Sequence, residues 1–383
     1  MHELGQYFTK DEGLQAKVFE LIKNDTHLIL EPSVGRGDLV RYITNQDRGM
    51  QFDMYEIDQT IELLPEINTT KLIYGDFLKQ EIEIRYKTIV GNPPYVKTKK
   101  GNLYIDFIRS CFDLLDVDGE LIFIIPSDFF KLTSAISIIN DMMNHGTFTH
   151  VYHPNNEHLF ENATVDIIVF RYQRTEGLEH VCLYNDETKH IINSNGLITF
   201  SDELLETTPV SEYFDVYVGM VSGKDSVFKS TKHGNIKVLN AKDQLDSFVF
   251  YKQYPTEDKA TNEYLLSHKD ALIERRIRKF DDNNWYQWGA PRNLLTIEKY
   301  KDMPCIYMHN LTRKAVVAFA DKIQYFGGNL IMLKPKKELE LCKIVEFLNS
   351  DDFKKNYEFS GRFKIGQRQI MNIQVPLGVI KMI

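Results

Sequence analysis

The chain has 383 residues, of which 43% are hydrophobic and 26% are charged, and its net charge is −8. This composition is ordinary for a globular protein, and the length is enough for two or three domains. No run of about 18 apolar residues is present, which excludes a transmembrane helix. The first residues lack the basic and apolar regions of a signal peptide, so we expect a cytoplasmic protein without a membrane partner.

The cysteines Cys111, Cys182, Cys305 and Cys342 lie far apart, and no two of them form a CxxC pair. Paired cysteines are the usual sequence sign of a zinc site. We therefore expect no metal, and thiols that stay reduced in the cytosol.

Predicted helices and strands alternate through the first part of the chain. The predicted helices are 14–23, 38–43, 104–115 and 132–143, and the predicted strands are 27–31, 51–57, 71–74, 86–91 and 120–125. This alternation is typical of βαβ units around a parallel sheet, with right-handed crossovers.

The rhythm then changes, because strands 150–152 and 165–170 are predicted to pair as an antiparallel hairpin at the sheet edge. Further along the chain, short strands, aromatic residues and basic runs replace the alternation. We predict an α/β catalytic domain with a doubly wound, mostly parallel sheet in residues 1–180 and a transition over 181–215. A mixed α+β domain is predicted for residues 216–383.

The negative charge is unevenly distributed along the chain. Residues 1–219 carry 18 basic and 35 acidic residues, a net charge of −17, whereas residues 220–383 carry 28 and 19, a net charge of +9. A basic half is expected where a domain binds a polyanion, although basic residues also serve simply as a solvated surface.

Asn92, Pro93, Pro94 and Tyr95 follow the predicted strand 86–91. Ligands bind at the carboxyl ends of strands in an open α/β sheet. The side-chain carbonyl of Asn92 and the proline carbonyls, whose directions are set by a fixed φ, offer acceptors for an amino group. Tyr95 adds a flat ring. Taken alone, the tetrapeptide also fits a turn that simply ends a strand.

Gly35 and Gly37 lie between a predicted strand and a predicted helix. Glycines there let a ligand approach the backbone, and the helix N-terminus adds positive potential. The third glycine of the dinucleotide fingerprint is absent. Glu31, just before the loop, suits a cationic amino group, and Glu56, 21 residues after Gly35, suits the hydroxyls of a ribose.

Asp76 and Phe77 follow the third predicted strand. Asp76 suits an exocyclic amine, and Phe77 suits the face of a purine. Each acid taken singly also fits a helix cap or a solvated side chain. As an ordered set at successive strand ends, these residues indicate S-adenosylmethionine rather than NAD.

The motifs, in this order, resemble the amino-group DNA methyltransferases. Among them they are most similar to the γ-type, TaqI-like N6-adenine enzymes of type II restriction-modification systems. The motifs that carry the resemblance are Gly5–Thr9, Glu31–Gly37, Tyr55–Asp58, Asp76–Leu78, Asn92–Tyr95, Asn102–Phe107, Pro126–Phe130, Leu159–Phe160 and Val165–Phe170. Lys10 departs from the pattern, since the family has proline there. Three later patches resemble the target-recognition domain more loosely: Gly219–Lys224, Phe326–Ile331 and Ile365–Pro376.

The resemblance implies a class I S-adenosylmethionine-dependent methyltransferase fold and a C-terminal DNA target-recognition domain. It implies methylation of the N6 amino group of an adenine flipped out of a short duplex site, with S-adenosylhomocysteine as the second product. The expected catalytic residues are Asn92, Pro93, Tyr95 and Phe160, the two rings stacking on the base. The expected cofactor contacts are Thr9, Glu31, Gly35, Gly37, Glu56, Ile57, Asp76, Phe77, Asn92 and Phe107.

Double-stranded DNA is the expected partner of a monomeric protein, and a cognate restriction endonuclease is left open as a functional partner. The residues expected to contact DNA are Arg275, Arg276, Arg278 and Lys279 at phosphates, and Arg362, Gln367 and Arg368 at base edges. For the basic run, a solvated helix face is the alternative. Three other substrates stay open at this point: an RNA base, a protein glutamine, and cytosine N4 in DNA.

Overall fold

The structure, a computed structural model, divides the chain into two units. The first unit takes in the chain as far as Leu204 together with Phe359–Gly361, and the second takes in Leu205–Glu358 and the chain from Arg362 onward. The described residues are 7–98, 101–161, 164–177 and 179–382. Gly5 and Gln6 of the first motif lie outside them.

The first unit contains twelve strands and four α-helices among its described residues. Its strands are β1 (Leu28–Glu31), β2 (Gln51–Glu56), β3 (Leu72–Tyr74), β4 (Tyr86–Gly91), β5 (Lys97–Thr98), β6 (Gly101–Asn102), β7 (Leu115–Pro126), β8 (Thr147–Tyr152), β9 (Ile167–Gln173), β10 (Val181–Tyr184), β11 (Glu187–Ser194) and β12 (Leu197–Ser201). Its helices are α1 (Glu12–Leu21), α2 (Asp38–Gln46), α3 (Leu103–Leu114) and α4 (Ile136–Asn144), with 3-10 helices at Thr69–Lys71, Phe77–Lys79, Ser127–Lys131 and Thr133–Ala135.

Ten of these strands form one sheet in the order β12-β11-β10-β8-β9-β7-β4-β1-β2-β3. Strands β3, β2, β1, β4 and β7 are parallel neighbours, and β9 runs antiparallel between β7 and β8. The predicted alternation of strands and helices is therefore present, and it forms a doubly wound sheet.

Both faces of this sheet are covered, and adjacent strand residues point to opposite sides. Ile29 and Val90 pack in the cluster that includes Leu14 and Val18 of α1. Leu30 and Ile89, one residue away, pack in the cluster built on α3 and α4. Burial on both faces explains why the central strands read as nearly continuous apolar runs.

The sheet continues past residue 180, and the antiparallel β8–β9 pair lies inside it rather than at its edge. Strand β10 pairs in parallel with β8, and β11 and β12 follow as antiparallel neighbours. Tight turns with positive φ at Asn185 and Asp186, and at Asn195 and Gly196, connect these strands. Because such hairpins need no crossover helix, the βα rhythm stops while the sheet goes on.

A buried carboxylate lies towards the amino ends of the central strands. Glu120 of β7 accepts hydrogen bonds from Arg171 Nε at 2.7 Å and from Thr88 Oγ1 at 3.0 Å. The backbone amides of Lys23 and Asn24, just before β1, donate to the same carboxylate at 3.1 and 3.0 Å. Both the charge and the hydrogen-bonding capacity of Glu120 are thus matched within the fold.

The second unit has smaller sheets than the first unit, and many of its helices and strands are short. Its helices are α5 (Val210–Tyr213), α6 (Asp225–Phe228), α7 (Lys259–Ser267), α8 (Lys269–Ile273), α9 (Leu294–Lys299), α10 (Leu341–Asn349), α11 (Asp351–Lys355) and α12 (Gln367–Met371), with a 3-10 helix at Leu377–Val379. The remaining strands in chain order are β13 (Thr207–Pro209), β14 (Phe214–Val218), β15 (Ile236–Ala241), β16 (Gln244–Phe248), β17 (Pro304–His309), β18 (Leu311–Thr312), β19 (Ala318–Lys322), β20 (Leu330–Pro335), β21 (Glu358–Phe359), β22 (Arg362–Lys364) and β23 (Gln374–Pro376).

An antiparallel sheet in the order β14-β20-β17-β19 is the centre of the second unit. Alternate residues of β17 enter different cores: Cys305 and Tyr307 pack with Trp285 and Trp288, whereas Ile306 packs with the helices α10 and α11. A mixed α+β architecture was predicted for this part of the chain, and its described residues form both helices and strands.

The four cysteines carry free thiols. Cys111, Cys182 and Cys305 are buried, and Cys342 is exposed. Burial raises the pKa of the Cys182 and Cys305 thiols to about 12 and the pKa of Cys111 well above its ordinary value. The buried thiols therefore remain protonated at neutral pH.

Candidate active site

A pocket of about 220 Å³ lies in the first unit, at the carboxyl ends of β1, β2, β3 and β4. Its lining residues are Tyr7, Phe8, Pro32, Ser33, Gly35, Glu56, Ile57, Gly75, Asp76, Phe77, Leu78, Asn92, Pro94, Val96, Leu103 and Phe107. Seven of the ten residues expected to contact a cofactor are among them. The other three, Thr9, Glu31 and Gly37, do not line the pocket, but Thr9 contacts Asn92 and Glu31 contacts Ser33, which do. The topology brings them together because parallel strands end at the same side of a sheet.

The glycine loop follows β1 and leads into α2. Gly35 has φ +57° and Gly37 has φ +88°, a region that side chains rarely adopt. The Gly35 amide donates to Glu56 Oε2 at 2.8 Å. A Cβ on Gly37 would lie 2.5 Å from the Ile67 side chain, so this position has no room for one.

Glu31 ends β1 and is buried, with 2% of its surface exposed. Its carboxylate accepts from the Ser33 amide at 2.9 Å and from Ser33 Oγ at 3.4 Å. Burial raises its pKa to about 8. Among the residues that the structure describes, Ser33 and Glu56 are the groups that act on this carboxylate, and no cationic side chain pairs with it. A Cβ on Gly91 would lie 3.0 Å from Glu31 Oε1, so a glycine gives β4 its close approach.

Two further acids lie on the pocket wall. Glu56, at the end of β2, accepts from the amides of Gly35 and Asp58 at 2.8 and 2.9 Å, which fixes its carboxylate. Asp76 accepts from the Leu78 amide at 3.2 Å and forms an ion pair with Lys79 at 2.8 Å. Each carboxylate oxygen retains a second lone pair for a ligand.

The far wall of the pocket is apolar and flat. The Phe77 and Phe107 rings stack with centroids 5.5 Å apart, and Tyr55 packs on Phe77 edge to face. Ile57, another lining residue, is 54% exposed. This wall has the shape and polarity that a purine ring needs.

The Asn92 amide is fixed in direction by three hydrogen bonds. Its Nδ2 donates to the Tyr7 carbonyl at 2.7 Å and to Thr9 Oγ1 at 3.0 Å. Its Oδ1 accepts from the Tyr95 hydroxyl at 2.5 Å. The Tyr95 hydroxyl also lies 3.1 Å from the Ile124 carbonyl, a second acceptor.

The rings expected to stack on a base are packed against other rings. Phe160 is 5% exposed. The Tyr95 and Phe160 rings lie 6.2 Å apart at an angle of 69°. Tyr7 stacks on Tyr95 at 4.9 Å and 26°, and contacts Phe160 at 5.5 Å. The two rings therefore do not form an open parallel slot in this structure.

Tyr7 and Phe8 were not among the predicted site residues, although both belong to the first motif. Both line the pocket. The Phe8 ring lies 3.5 Å from where a Gly35 Cβ would be, and the Arg36 guanidinium lies 5.7 Å from its centroid. Two adjacent aromatic residues beside the motif threonine were the available signal.

In the second unit, one predicted DNA contact does not fit the structure. Arg275 is 7% exposed, and its guanidinium donates to the carbonyls of Leu272, Ser222 and Trp285 at 2.6–2.8 Å. It also lies 3.7 Å from the Phe280 ring centroid. A guanidinium with this many internal partners is not available for phosphate, and its role is structural.

The other predicted DNA contacts differ in how free their side chains are. Arg276, Lys279, Arg362 and Arg368 are exposed. Arg278 is exposed but donates to the Gln287 side chain and to the Trp288 carbonyl, each at 3.0 Å. Gln367 is half-buried and donates through Nε2 to the Val216 carbonyl at 2.7 Å.

Comparisons with known proteins agree with this geometry. The family model for the Eco57I restriction-modification methylase matches residues 41–160. The chain is 23% identical to the type II methyltransferase M.HindII of Haemophilus influenzae, over 91% of this chain and 83% of that protein. It is 28% identical to the type II methyltransferase M.HincII of Haemophilus influenzae, over 51% of this chain and 42% of that protein.

A solved structure of the type IIL restriction-modification enzyme MmeI in complex with DNA has a similar fold. It matches with a TM-score of 0.58 and 10% identity, over 94% of this chain and 63% of that one. The fold is that of the class I S-adenosylmethionine-dependent methyltransferases, as predicted. The predicted resemblance to type II restriction-modification methyltransferases is confirmed, and the matches support a methyltransferase of such a system.

The described part of the chain has neither a metal-ligand cluster nor a membrane-spanning helix. No group of three or more His, Cys, Asp and Glu side chains that could hold a metal ion occurs there. No helix within the same residues has the length and apolar character needed to cross a membrane.

Proposed function

We propose that this protein transfers a methyl group from S-adenosylmethionine to the N6 amino group of an adenine flipped out of a short duplex DNA site. We propose further that this methylation protects DNA within a restriction-modification system. The observation that carries the proposal is the Asn92 amide, held in a fixed direction at the border of a pocket behind whose lining residue Ser33 lies the buried carboxylate of Glu31.

The residues of the pocket suit the proposed cofactor. Glu31 is buried without a cationic partner among the described side chains, so an ammonium group would neutralise it. Glu56 is positioned for two ribose hydroxyls, and Asp76 for an exocyclic amine. The glycine loop gives close access to the backbone at Gly35.

An adenine ring suits the flat apolar wall. Ile57 and the stacked pair Phe77 and Phe107 line the pocket and offer apolar surface to the ring. S-adenosylmethionine, when bound, supplies an activated methyl group on its sulfonium. The protein has then to bring an amino nitrogen into line with that group and to keep water away.

Asn92 and Pro93 provide acceptors for the two N–H bonds of the target amino group. The lone pair of that nitrogen is delocalised into the ring, which makes it a poor nucleophile. Acceptors on both hydrogens would draw the nitrogen towards tetrahedral geometry and free its lone pair to form a bond to the methyl carbon as the carbon–sulfur bond breaks. The methylated nitrogen would then lose one proton to solvent. Fixed dipoles of this kind stabilise a transition state without reorganisation, and they align the two reactants.

Tyr95 can release Asn92 Oδ1 for this role. Its hydroxyl donates to Oδ1 at 2.5 Å but lies 3.1 Å from the Ile124 carbonyl, so a small rotation transfers the hydrogen bond. Burial raises the pKa of the Tyr95 hydroxyl well above its ordinary value, so it stays a donor. The ring then stacks on one face of the base and Phe160 on the other, each contributing roughly 1–3 kcal/mol.

The second unit supplies the proposed DNA affinity. The exposed Arg276 and Lys279 suit phosphate oxygens, and the exposed Arg362 and Arg368 suit base edges. Arg278 is proposed as a weaker contact because two internal acceptors already hold it. Gln367 is proposed to accept from a base edge through its free oxygen.

The test is transfer of tritium from labelled S-adenosylmethionine to four substrates: duplex DNA, tRNA, rRNA and a protein release factor. We expect label in duplex DNA alone. Label in either RNA or in the protein, with none in DNA, would overturn the proposal. Methylation-sensitive sequencing of DNA from cells that express the chain then identifies both the site and the base. N4-methylcytosine in place of N6-methyladenine would overturn the target base only.

A further inference from the structure

We infer that Asp166 is a positioning residue for methyl transfer: its carboxylate fixes the segment between β8 and β9 and so holds Phe160 beside Tyr95. This inference rests on the function proposed above, because it uses the stacking role proposed there for Phe160. Asp166 itself is not a lining residue of the pocket. Its effect on the reaction therefore has to pass through the segment that it holds.

Asp166 lies at the edge of the sheet where the pocket is. It immediately precedes β9, whose first residue, Ile167, pairs with Pro126 at the carboxyl end of β7. Because β9 runs antiparallel to β7, its start lies beside the carboxyl ends of the parallel strands. Glu120 pairs with Gln173 at the other end of the same two strands. The two carboxylates thus belong to opposite edges of the sheet.

Three side chains from different parts of the chain donate to the Asp166 carboxylate. His153, just after β8, has its Nε2 2.7 Å from Oδ2. Ser127, just after β7, donates through Oγ to the same oxygen, and its amide donates to the Asp166 carbonyl at 3.0 Å. Ser360, in the turn Phe359–Gly361 that belongs to the first unit, donates to Oδ1 at 2.6 Å. Burial alone would raise the pKa of Asp166, but these hydrogen bonds hold the pKa below its ordinary value, so the carboxylate is ionised at neutral pH.

His153 is fixed by other groups as well. Its Nδ1 lies 3.0 Å from the Tyr184 hydroxyl, and burial raises the pKa of that hydroxyl, so it keeps a proton to donate. With Tyr184 donating to Nδ1, the ring proton of His153 is on Nε2, where Asp166 accepts it. The His153 amide donates to Asn185 Oδ1 at 2.7 Å, and Asn185 Nδ2 donates to the His153 carbonyl at 3.0 Å. Both the ring and the backbone of this partner of Asp166 are therefore held in place.

The segment that Asp166 closes is the one that carries Phe160. His153 is its first residue and Asp166 its last, so the hydrogen bond between them joins the two ends. The described residues of the segment, 153–161 and 164–166, contain no helix. The place of the Phe160 backbone therefore depends on how the two ends are held, together with the packing of the Phe160 ring, which is 5% exposed.

Phe160 needs a fixed backbone because its ring has to turn during the proposed reaction. The rings of Tyr95 and Phe160 are inclined at 69°, whereas two rings stacked on opposite faces of one base are both parallel to it. A rotation about the side-chain bonds of Phe160 brings its ring onto the base only if its Cα stays beside Tyr95. A misplacement of about 1 Å can cost about 100-fold in rate. Loosening the ends of the segment should therefore slow methyl transfer.

A purely structural role for Asp166 would resemble that of Glu120, whose carboxylate is also matched within the fold. The two roles predict different results. A structural carboxylate affects the rate of methyl transfer only by lowering the amount of folded protein. A positioning carboxylate changes the rate per folded molecule, and it does so only while Phe160 is present.

The test is a double-mutant cycle between Asp166→Asn and Phe160→Ala in the full chain. Methyl transfer is measured in single turnover, with saturating S-adenosylmethionine and a duplex that carries the site found by sequencing. The rate is divided by the folded fraction, measured by circular dichroism. We expect a loss of about tenfold in each single variant and no further loss in the double variant. Asp166→Asn should leave the affinity for S-adenosylhomocysteine unchanged, and Asp113→Asn, on an exposed position of α3, is the matched control.

Two results would overturn the inference: an unchanged rate per folded molecule in Asp166→Asn, or a double variant that loses about 100-fold, the product of two independent effects. Ser127→Ala, which removes one donor and leaves His153 in contact, replaces Asp166→Asn in the cycle if that variant does not fold. Either result, with a wild type that methylates duplex DNA, refutes this inference alone. A wild type that methylates no duplex DNA refutes the proposed function and this inference with it.

Discussion

Glu31 and Glu120 are both buried carboxylates of the same sheet, one at the carboxyl end of β1 and the other towards the amino end of β7. Glu120 has an arginine, a threonine and two backbone amides around it. Glu31 has the amide and hydroxyl of Ser33 and, among the described residues, no cation.

The difference separates a structural charge from a functional one. A buried carboxylate costs several kcal/mol of desolvation unless something compensates it. At the amino end of the sheet the fold itself compensates Glu120. At the carboxyl end the raised pKa of Glu31 shows that compensation is incomplete, and a ligand with a positive charge would complete it.

The largest expected effect tests the carboxyl end. Asn92→Ala removes an acceptor that the proposed transition state needs, so we expect methyl transfer to DNA to fall by about 10³-fold or more. S-adenosylhomocysteine affinity, measured by calorimetry, should change little. Asn45→Ala, on an exposed position of α2, is the matched control and should leave turnover unchanged. Normal turnover in Asn92→Ala would contradict the assignment of the site.

A substitution at the amino end of the sheet should lower the free energy of unfolding rather than the rate of methyl transfer. Glu120→Gln leaves Arg171 buried without its counter-charge, and we expect about 3–5 kcal/mol less free energy of unfolding. Urea denaturation measures this loss, with the exposed Glu62→Gln as control. If Glu120→Gln lowered turnover but left the free energy of unfolding unchanged, Glu120 would not be a structural charge, and the proposed difference from Glu31 would be wrong.

Glu31 should make cofactor affinity depend on pH. Its pKa is about 8 without ligand, and an ammonium group binds its ionised form, so binding releases a proton. We expect affinity for S-adenosylhomocysteine to rise about tenfold from pH 6.5 to pH 7.5. Calorimetry in buffers of different ionisation enthalpy counts the released proton.

The same group gives a stability test of the protein without ligand. Because the folded pKa of Glu31 lies above the unfolded one, the unfolded chain loses its proton first as the pH rises. Stability should therefore fall between the ordinary glutamate range and pH 8. Glu31→Gln should remove the pH dependence both of the free energy of unfolding and of the affinity for S-adenosylhomocysteine. If either pH dependence remained in the variant, another group would be responsible for it.

The smallest expected effect is on DNA affinity and concerns the second unit. There Arg275 is proposed to be structural and Arg276 to bind DNA, as Glu120 and Glu31 differ in the first unit. Arg276→Ala or Lys279→Ala should weaken DNA binding by less than about tenfold and lower the salt slope by about one. Arg275→Ala should reduce stability and leave the salt slope unchanged, because three carbonyls hold that side chain. Fluorescence anisotropy at several salt concentrations separates the two outcomes.

Topology explains which parts of the site could be predicted. Glu31 and Glu56 end their strands and Asp76 and Asn92 follow theirs, and parallel strands bring such residues to one edge. Their grouping around one pocket follows from strand order alone. The predicted strand boundaries agree with the observed ones within a few residues. The largest difference is in β7, which begins five residues earlier than the predicted strand 120–125.

Other features depend on contacts that no local pattern encodes. The buried position of Arg275 is set by the carbonyl of Ser222, 53 residues away in sequence, and by that of Trp285. The Tyr7 stack depends on Tyr95 and Phe160, which only the folded chain brings near. The extension of the sheet by β10–β12 was missed because hairpins have no helix to mark them.

The burial of three thiols has a practical consequence for labelling. Alkylating reagents attack the thiolate, and burial both shields Cys111, Cys182 and Cys305 and keeps them protonated. Cys342 is exposed within α10 of the second unit. A maleimide dye added to the wild-type protein near pH 7 is therefore expected to attach at this one position. The chain thus carries its own handle for a fluorescent reporter, with no cysteine to remove by mutagenesis.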